Sequence, residues 1–267
     1  MAVTPVQLGG TRGGPDVPTL RQDRWCLQPL VTASILTLFV GYSSWAAFVN
    51  KDYYAGPALH RNLLSPFYSP CITASCPPGS HPSFVIEWWT ISPALLILIF
   101  PLGFRLTCYY YRKAYYRSVW WSPPACAVSD AHASYGGESR FPLIMQNVHR
   151  WFFYVLLLFN VILTIDAVQA FRQPGIGIGV TVGTIVLCVN AALLWLYSLS
   201  CHACRHACGG HVNRFSEHPV RHGLWKLVTP LNGKHMQIAW MSLVFVAWTD
   251  LYVRLVASGW ITDIRLF

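Results

Sequence analysis

The run Ser200-Cys201-His202-Ala203-Cys204-Arg205-His206-Ala207-Cys208-Gly209-Gly210-His211 gathers three cysteines, three histidines and an arginine. Thiolate sulfur and imidazole nitrogen are the main protein ligands for zinc, haem iron and iron–sulfur clusters. The run closes a long uncharged apolar stretch, so its residue types predict a redox or metal centre at a membrane surface. Successive residues of a helix turn by about 100°. Cys201, Cys204 and Cys208 then share one face, while His202 and His206 share a nearly opposite one. A regular helix cannot aim both sets at one centre. Either the helix unwinds toward Gly209-Gly210, a stop signal, or ligands come from elsewhere. The loop containing Cys108, Cys126 and His132 is the nearest source.

Three centres compete on residue types alone. Structural zinc takes four Cys or His ligands and leaves no open position. Haem b needs two facing imidazoles, and His149 and His235 lie too close to the ends of their segments for a deep haem. A Rieske-type [2Fe–2S] centre takes two Cys on one iron and two His on the other, and the local pool suits it better than haem. The plain alternative is that these side chains pack or meet solvent.

A second stretch, Gly103 to Arg117, carries four basic residues and five tyrosines. It reads as an interfacial anchor, with Tyr at headgroup level and Arg and Lys snorkelling. It reads equally as one wall of a quinone site, which needs an apolar slot and a few donors for carbonyl oxygens. Tyr110, Arg112, Trp120 and Arg205 are the candidate quinone contacts. No nucleotide-binding glycine loop, zinc-protease motif or Ser–His–Asp pattern is present.

These groups must be held by membrane helices. The chain is 54% hydrophobic and only 11% charged, against about 25% charged in soluble domains. A crossing helix needs about 20 apolar residues. Five segments are expected, at about 31–49, 88–112, 148–171, 176–204 and 235–257, giving an all-α membrane protein. It would be a five-helix transmembrane bundle over 31–258 with an ordered cytoplasmic loop region. Residues 1–30 read as a cytoplasmic tail with no signal peptide, and 259–267 as an outer tail. Fourteen of the nineteen Lys and Arg fall on one side of this arrangement. The positive-inside rule makes that side cytoplasmic, in an inner cell membrane, with the C-terminus outside. The net charge of +9 is thus explained by lipid orientation, without nucleic acid. Asp250 and Arg254, four apart on one helical face, can satisfy each other near the interface.

Sidedness also sorts the cysteines. Cys71 and Cys76 fall on the outer, oxidising side, where a short disulfide loop is expected. Cys108, Cys126, Cys201, Cys204 and Cys208 fall on the reducing side, as metal ligands or buried thiols. A small transporter is the further alternative, but Asp166 and Asp250 lie near segment ends and no repeat is visible. A structural zinc-bearing anchor is another.

Several motifs together carry a family resemblance: Cys108-Tyr109-Tyr110-Tyr111-Arg112-Lys113-Ala114-Tyr115-Tyr116-Arg117, Pro123-Pro124-Ala125-Cys126-Ala127-Val128, Gln146-Asn147-Val148-His149-Arg150 and Cys201-His202-Ala203-Cys204-Arg205-His206. From about Trp88 to Arg254 the chain resembles the single-chain, five-helix membrane anchor of actinobacterial succinate dehydrogenase, respiratory complex II. The resemblance implies an iron–sulfur subunit and, through it, a flavoprotein that oxidises succinate to fumarate. It implies electron transfer to menaquinone or a similar quinone, with a Rieske-type [2Fe–2S] cluster in place of haem b. The absence of histidine from every segment centre agrees with the haem-less case, and a haem b cytochrome is the alternative. Cys126, Cys204, His202 and His206 form the expected ligand quartet, with Cys108, Cys201 and His132 as substitutes.

Overall fold

The computed structural model describes residues 21–80, 86–131, 139, 141, 143–210 and 212–267. The chain forms two compact units: residues 1–38 with 108–147, and residues 39–107 with 148–267. Helix α1 (Leu27–Val49) runs from the first into the second. It begins four residues before the expected Val31, because Pro29 falls in the first turn, where its missing N–H breaks no helical bond.

The first unit contains α4 (Tyr109–Tyr115) and a single wide π-type turn, Tyr116–Trp120. Trp120 packs against the rings of both Tyr115 and Tyr116. Trp121 meets Trp25 edge to face at 6.2 Å, and the Arg21 guanidinium donates to the Cys126 carbonyl at 2.8 Å. The segment before α1 is thereby tied to the turn that carries Cys126.

The second unit is the helical bundle. Its elements are α2 (Pro93–Ile97), α3 (Ile99–Thr107), α5 (His149–Gln169), α6 (Val182–Leu199), α7 (His202–Gly209), α8 (Pro219–Gly233) and α9 (His235–Ala257). Strands are confined to two short ribbons, β1 (Tyr54–Ala55) with β2 (Leu63–Leu64) and β3 (Arg172–Gln173) with β4 (Gly177–Ile178). Gly175 and Gly177 supply the positive φ that the second ribbon's turn requires. The core between α5, α6 and α9 combines small and β-branched residues such as Ala167, Val186, Ala191, Val253 and Val256 with Leu187 and Tyr252.

Among the described residues four helices are long and apolar enough to cross a membrane, Leu27–Val49, Ile144–Gln169, Val182–Leu199 and His235–Ala257. The chain is an all-α membrane protein, but the expected segment 88–112 is not one continuous helix. It divides into α2, α3 and α4. Pro101 lacks the N–H that would bond the Ile97 carbonyl, and the ladder breaks at Leu98. Cys108 is extended (φ −69°, ψ 132°) and separates α3 from α4. The expected segment 176–204 is likewise shortened. Thr181 and Thr184 form a capping box that starts α6 at Val182, and the helix stops at Leu199.

Polar side chains lock the end of the bundle that carries Asp250. Asp250 is fully buried and accepts from Arg254 Nε at 2.8 Å, from the Tyr42 hydroxyl at 2.6 Å and from Ser65. Arg254 also donates to the carbonyls of Ala46 and Lys51 and lies over the rings of Trp45 and Tyr68. Asp166 is held by Ser69. Asp263 accepts from the Gly183 N–H at 2.8 Å, the Tyr252 hydroxyl at 2.7 Å and Arg61 Nε at 2.8 Å. It therefore caps α6 from the chain's final segment. Cys71 and Cys76 form a disulfide, their Cα atoms 5.8 Å apart.

Removing one partner of a buried pair leaves the other charge uncompensated, at a cost of about 3–5 kcal/mol. Arg254→Met should therefore lower the thermal midpoint of the detergent-solubilised protein by many degrees. The double variant Asp250→Asn with Arg254→Met should recover part of that loss.

Candidate metal and redox site

The opposite end of the bundle carries the Cys/His run. Helix α6 ends at Leu199, and Cys201 turns extended (φ −67°, ψ 146°) to become the N-cap of α7. Its sulfur accepts from the Ala203 N–H at 3.4 Å. The break re-aims Cys201 relative to a continuous helix. Its Sγ lies 3.1 Å from His149 Nε2.

His149 is fixed on three sides. Its ring stacks on Phe104 at 4.5 Å, and its Nδ1 is 2.8 Å from Thr107 Oγ1. Thr107 donates its own proton to the Gly103 carbonyl at 2.8 Å. It must then accept from Nδ1–H, which leaves Nε2 as the basic nitrogen facing Cys201; this tautomer is assigned from the hydrogen bonds. The close approach of α3 to α5 depends on Gly103, where a Cβ would fall 2.5 Å from the Phe152 ring.

His235 is treated the same way. It is 1% exposed, stacked on Tyr197 at 5.2 Å, with Nδ1 2.7 Å from Ser200 Oγ. Ser200 donates to the Tyr197 carbonyl, so it accepts from Nδ1–H and Nε2 is again the basic nitrogen. Fixing one ring nitrogen through a neighbouring oxygen is how proteins orient imidazoles that bind metals or move protons. The ring centroids of His202 and His235 are 6.5 Å apart. Asn232 Nδ2 donates to the Ser200 carbonyl at 2.8 Å and approaches His202 Nδ1 at 3.3 Å, so His202 has the opposite tautomer. Partial desolvation of its ring against Asn232 and His235, with help from the Arg205 charge, lowers the pKa of His202.

The rest of the expected quartet has other neighbours. His206 is exposed and its Nδ1 lies 3.0 Å from Arg150. Cys204 is buried, and burial together with adjacent Cys208 pushes its thiol up to about 11. The two faces of α7 thus differ as their periodicity requires, with cysteines inward and histidines outward. Cys126 is exposed and Cys108 buried, both in the other compact unit. His132 lies outside the described residues. Among those described, no group of three or more His, Cys, Asp or Glu side chains is arranged to hold a metal ion.

The candidate quinone contacts also divide between units. Arg112 lies over the Tyr109 ring at 5.2 Å, beside Tyr110, and Trp120 packs as described. Arg205 donates to Thr229 at 3.2 Å and stacks on Trp225 at 4.5 Å.

The family model for the actinobacterial succinate dehydrogenase subunit SdhC matches residues 27–259. The chain belongs to the SdhC family. It is therefore a subunit of succinate dehydrogenase, and its apolar helices make it a multi-pass membrane subunit. Its fold is similar to that of a chain in the Mycobacterium smegmatis Sdh1 complex in the apo form. That chain is 48% identical, with 97% of each chain covered and a TM-score of 0.87. No curated protein sequence matches.

In this SdhC-family chain His149 and His235 are the residues that spacing undervalued. Their position at segment ends argues against a deep haem, but the same position puts them beside Ser200 and Cys201. The motif Gln146-Asn147-Val148-His149-Arg150 was the available signal. Thr107→Val removes the hydroxyl that holds His149 Nδ1–H. The variant should lose about 1 kcal/mol of stability, and the His149 15N NMR spectrum should change from a single Nδ1–H tautomer to a mixture.

Proposed function

We propose that this SdhC-family chain anchors succinate dehydrogenase in the cell membrane and passes electrons from an iron–sulfur subunit to a membrane quinone. A flavoprotein subunit, carried by the iron–sulfur subunit, would oxidise succinate to fumarate. The similarity to a chain of the Sdh1 complex supports an assembled enzyme of this kind. The segment 88–112 serves as the fifth crossing in this reading, interrupted at Leu98 and at Cys108. The Cys201 end faces the cytoplasm, as the excess of Lys and Arg on that side supports. Tyr110, Arg112 and Trp120, which share one compact unit, contact a menaquinone or similar quinone in this reading.

A Cys/His-ligated [2Fe–2S] centre belongs to the same reading, and the 3.1 Å pair of Cys201 Sγ and His149 Nε2 carries it. The two side chains are in direct hydrogen-bond contact, Nε2 facing the thiol, so they bring one sulfur and one imidazole donor to the same place, one for each iron of such a centre. The quartet drawn from spacing fits less well, because His202 and His206 have different neighbours. We therefore place His149 and Cys201 among the ligands, with the second pair drawn from the remaining cysteines and histidines of this end. When bound, a cluster with histidine ligands supplies one-electron transfer at a higher potential than an all-cysteine cluster. The chain's own contribution is to hold the imidazoles in fixed tautomers and to exclude water with Phe104 and Tyr197.

Electron paramagnetic resonance on the reduced, purified complex tests the centre. The expected result is a Rieske-like signal that disappears in His149→Ala and in Cys201→Ser, with loss of two iron atoms per complex. Zinc without additional iron, or a haem spectrum, would replace this reading with a structural or cytochrome anchor.

A further inference from the structure

Helices α7 and α8 form an antiparallel hairpin rooted between two crossing helices. Its arms are tied from base to tip. Asn232 meets the Ser200 carbonyl and His202, Thr229 and Trp225 hold Arg205, and Arg221 donates to the carbonyls of Ala207 and Cys208. Neither arm continues the crossing helix beside it. Cys201 is extended between α6 and α7, and Lys234 (φ −104°, ψ 9°) separates α8 from α9. The 2.8 Å bond from Asn232 to the Ser200 carbonyl brings both breaks to one level, where α6 ends and α9 begins. The base of α8 therefore sits where two crossing helices leave the bilayer.

The inward face of α8 is used by this pairing, and its outward face is not. Val220, Leu224 and Leu227 stand at i, i+4 and i+7, which makes one stripe. They are 75%, 47% and 69% exposed. Gly223 lies beside the stripe, and a Cβ there would meet nothing within 4 Å. Water is a poor cover for a run of aliphatic side chains. Protein interfaces are anchored by Trp, Tyr and Arg, with Leu and Val under-represented, and the stripe holds none of the first three. Positive charge flanks it instead. Lys226 and Lys234 are exposed and make no ion pair among the described residues. The one acid between residues 212 and 234, Glu217, is already bonded by Arg214 at 3.1 Å. An aliphatic stripe edged by lysine is the pattern of a helix lying in a membrane surface. The long lysine stems reach from the apolar layer to the headgroups.

We propose that α8 lies along the membrane surface and docks on anionic phospholipid. Val220, Leu224 and Leu227 enter the acyl layer, and Lys226 and Lys234 meet the headgroups. The proposal needs only that α6 and α9 cross the membrane, and it holds whatever the Cys/His run binds. It also gives the leaflet a mechanical hold on that run. The helix that rests on lipid with one face carries Asn232 and Thr229 on the other, and these hold the α6–α7 break and Arg205.

The test uses the intact succinate dehydrogenase complex in nanodiscs of phosphatidylcholine and phosphatidylglycerol in equal parts. A benzophenone amino acid replaces Leu227, and the adducts formed on illumination are identified by mass spectrometry. Yields are normalised to the same probe at Leu158, an exposed position on the crossing helix α5. The expected product at position 227 is a phospholipid adduct that favours phosphatidylglycerol by about fivefold or more, since each basic residue near an anionic surface contributes about that factor. The double variant Lys226→Gln with Lys234→Gln, which breaks no ion pair, should bring the preference close to one and leave the total lipid adduct in place. An adduct with another subunit or a second copy of this chain, no adduct at all, equal yields of the two lipids with both lysines present, or a preference that survives the double variant would overturn the proposal.

Discussion

The buried Asp250–Arg254 pair is the contact on which one whole end of the bundle depends. A bilayer offers no water to solvate either charge, so both must be satisfied by protein. Asp250 recruits Tyr42 from α1 and Ser65 from the following loop, and Arg254 recruits the carbonyls of Ala46 and Lys51. Two residues of α9 thus determine where α1 ends and how the loop folds back. Asp263 repeats the device at the start of α6, joining Arg61, Gly183 and Tyr252 through one carboxylate.

At the other end the controlling event is a backbone break. Ser200 ends the helical ladder of α6 and Cys201 leaves it, and the polar groups at this break each have a task. Ser200 orients His235, its carbonyl accepts from Asn232, and Cys201 caps α7 while meeting His149. Hydroxyls on α3 and at the end of α6 fix the half-buried His149 and the buried His235 in the same tautomer. This is the arrangement expected where imidazole nitrogens must be presented to a metal or a proton rather than merely packed.

The two ends differ in chemistry for a physical reason. Carboxylates and guanidinium compensate each other and make a rigid lock. Neutral imidazole and thiol do not neutralise a partner, so they keep their capacity to bind or transfer.

Much of this was legible in residue order. Hydropathy marks the spans at α1, α5 and α9, and the i, i+4 spacing of Asp250 and Arg254 announces their pairing. The 3.6-residue period separates the Cys and His faces of α7, and the joint motifs identify the family. These properties are local, set by composition and periodicity within one segment. Other features were not legible. The second expected span divides at Leu98 and Cys108, and the fourth stops at Leu199, because a break depends on whether neighbouring helices re-satisfy the freed groups. The contact of His149 with Cys201, fifty-two residues apart in sequence, exists only because α5 and α6 pack side by side. Sequence alone determined which chemistries the chain can support, since that is a matter of donor types. Tertiary structure decided which donors meet, because only packing fixes their distances.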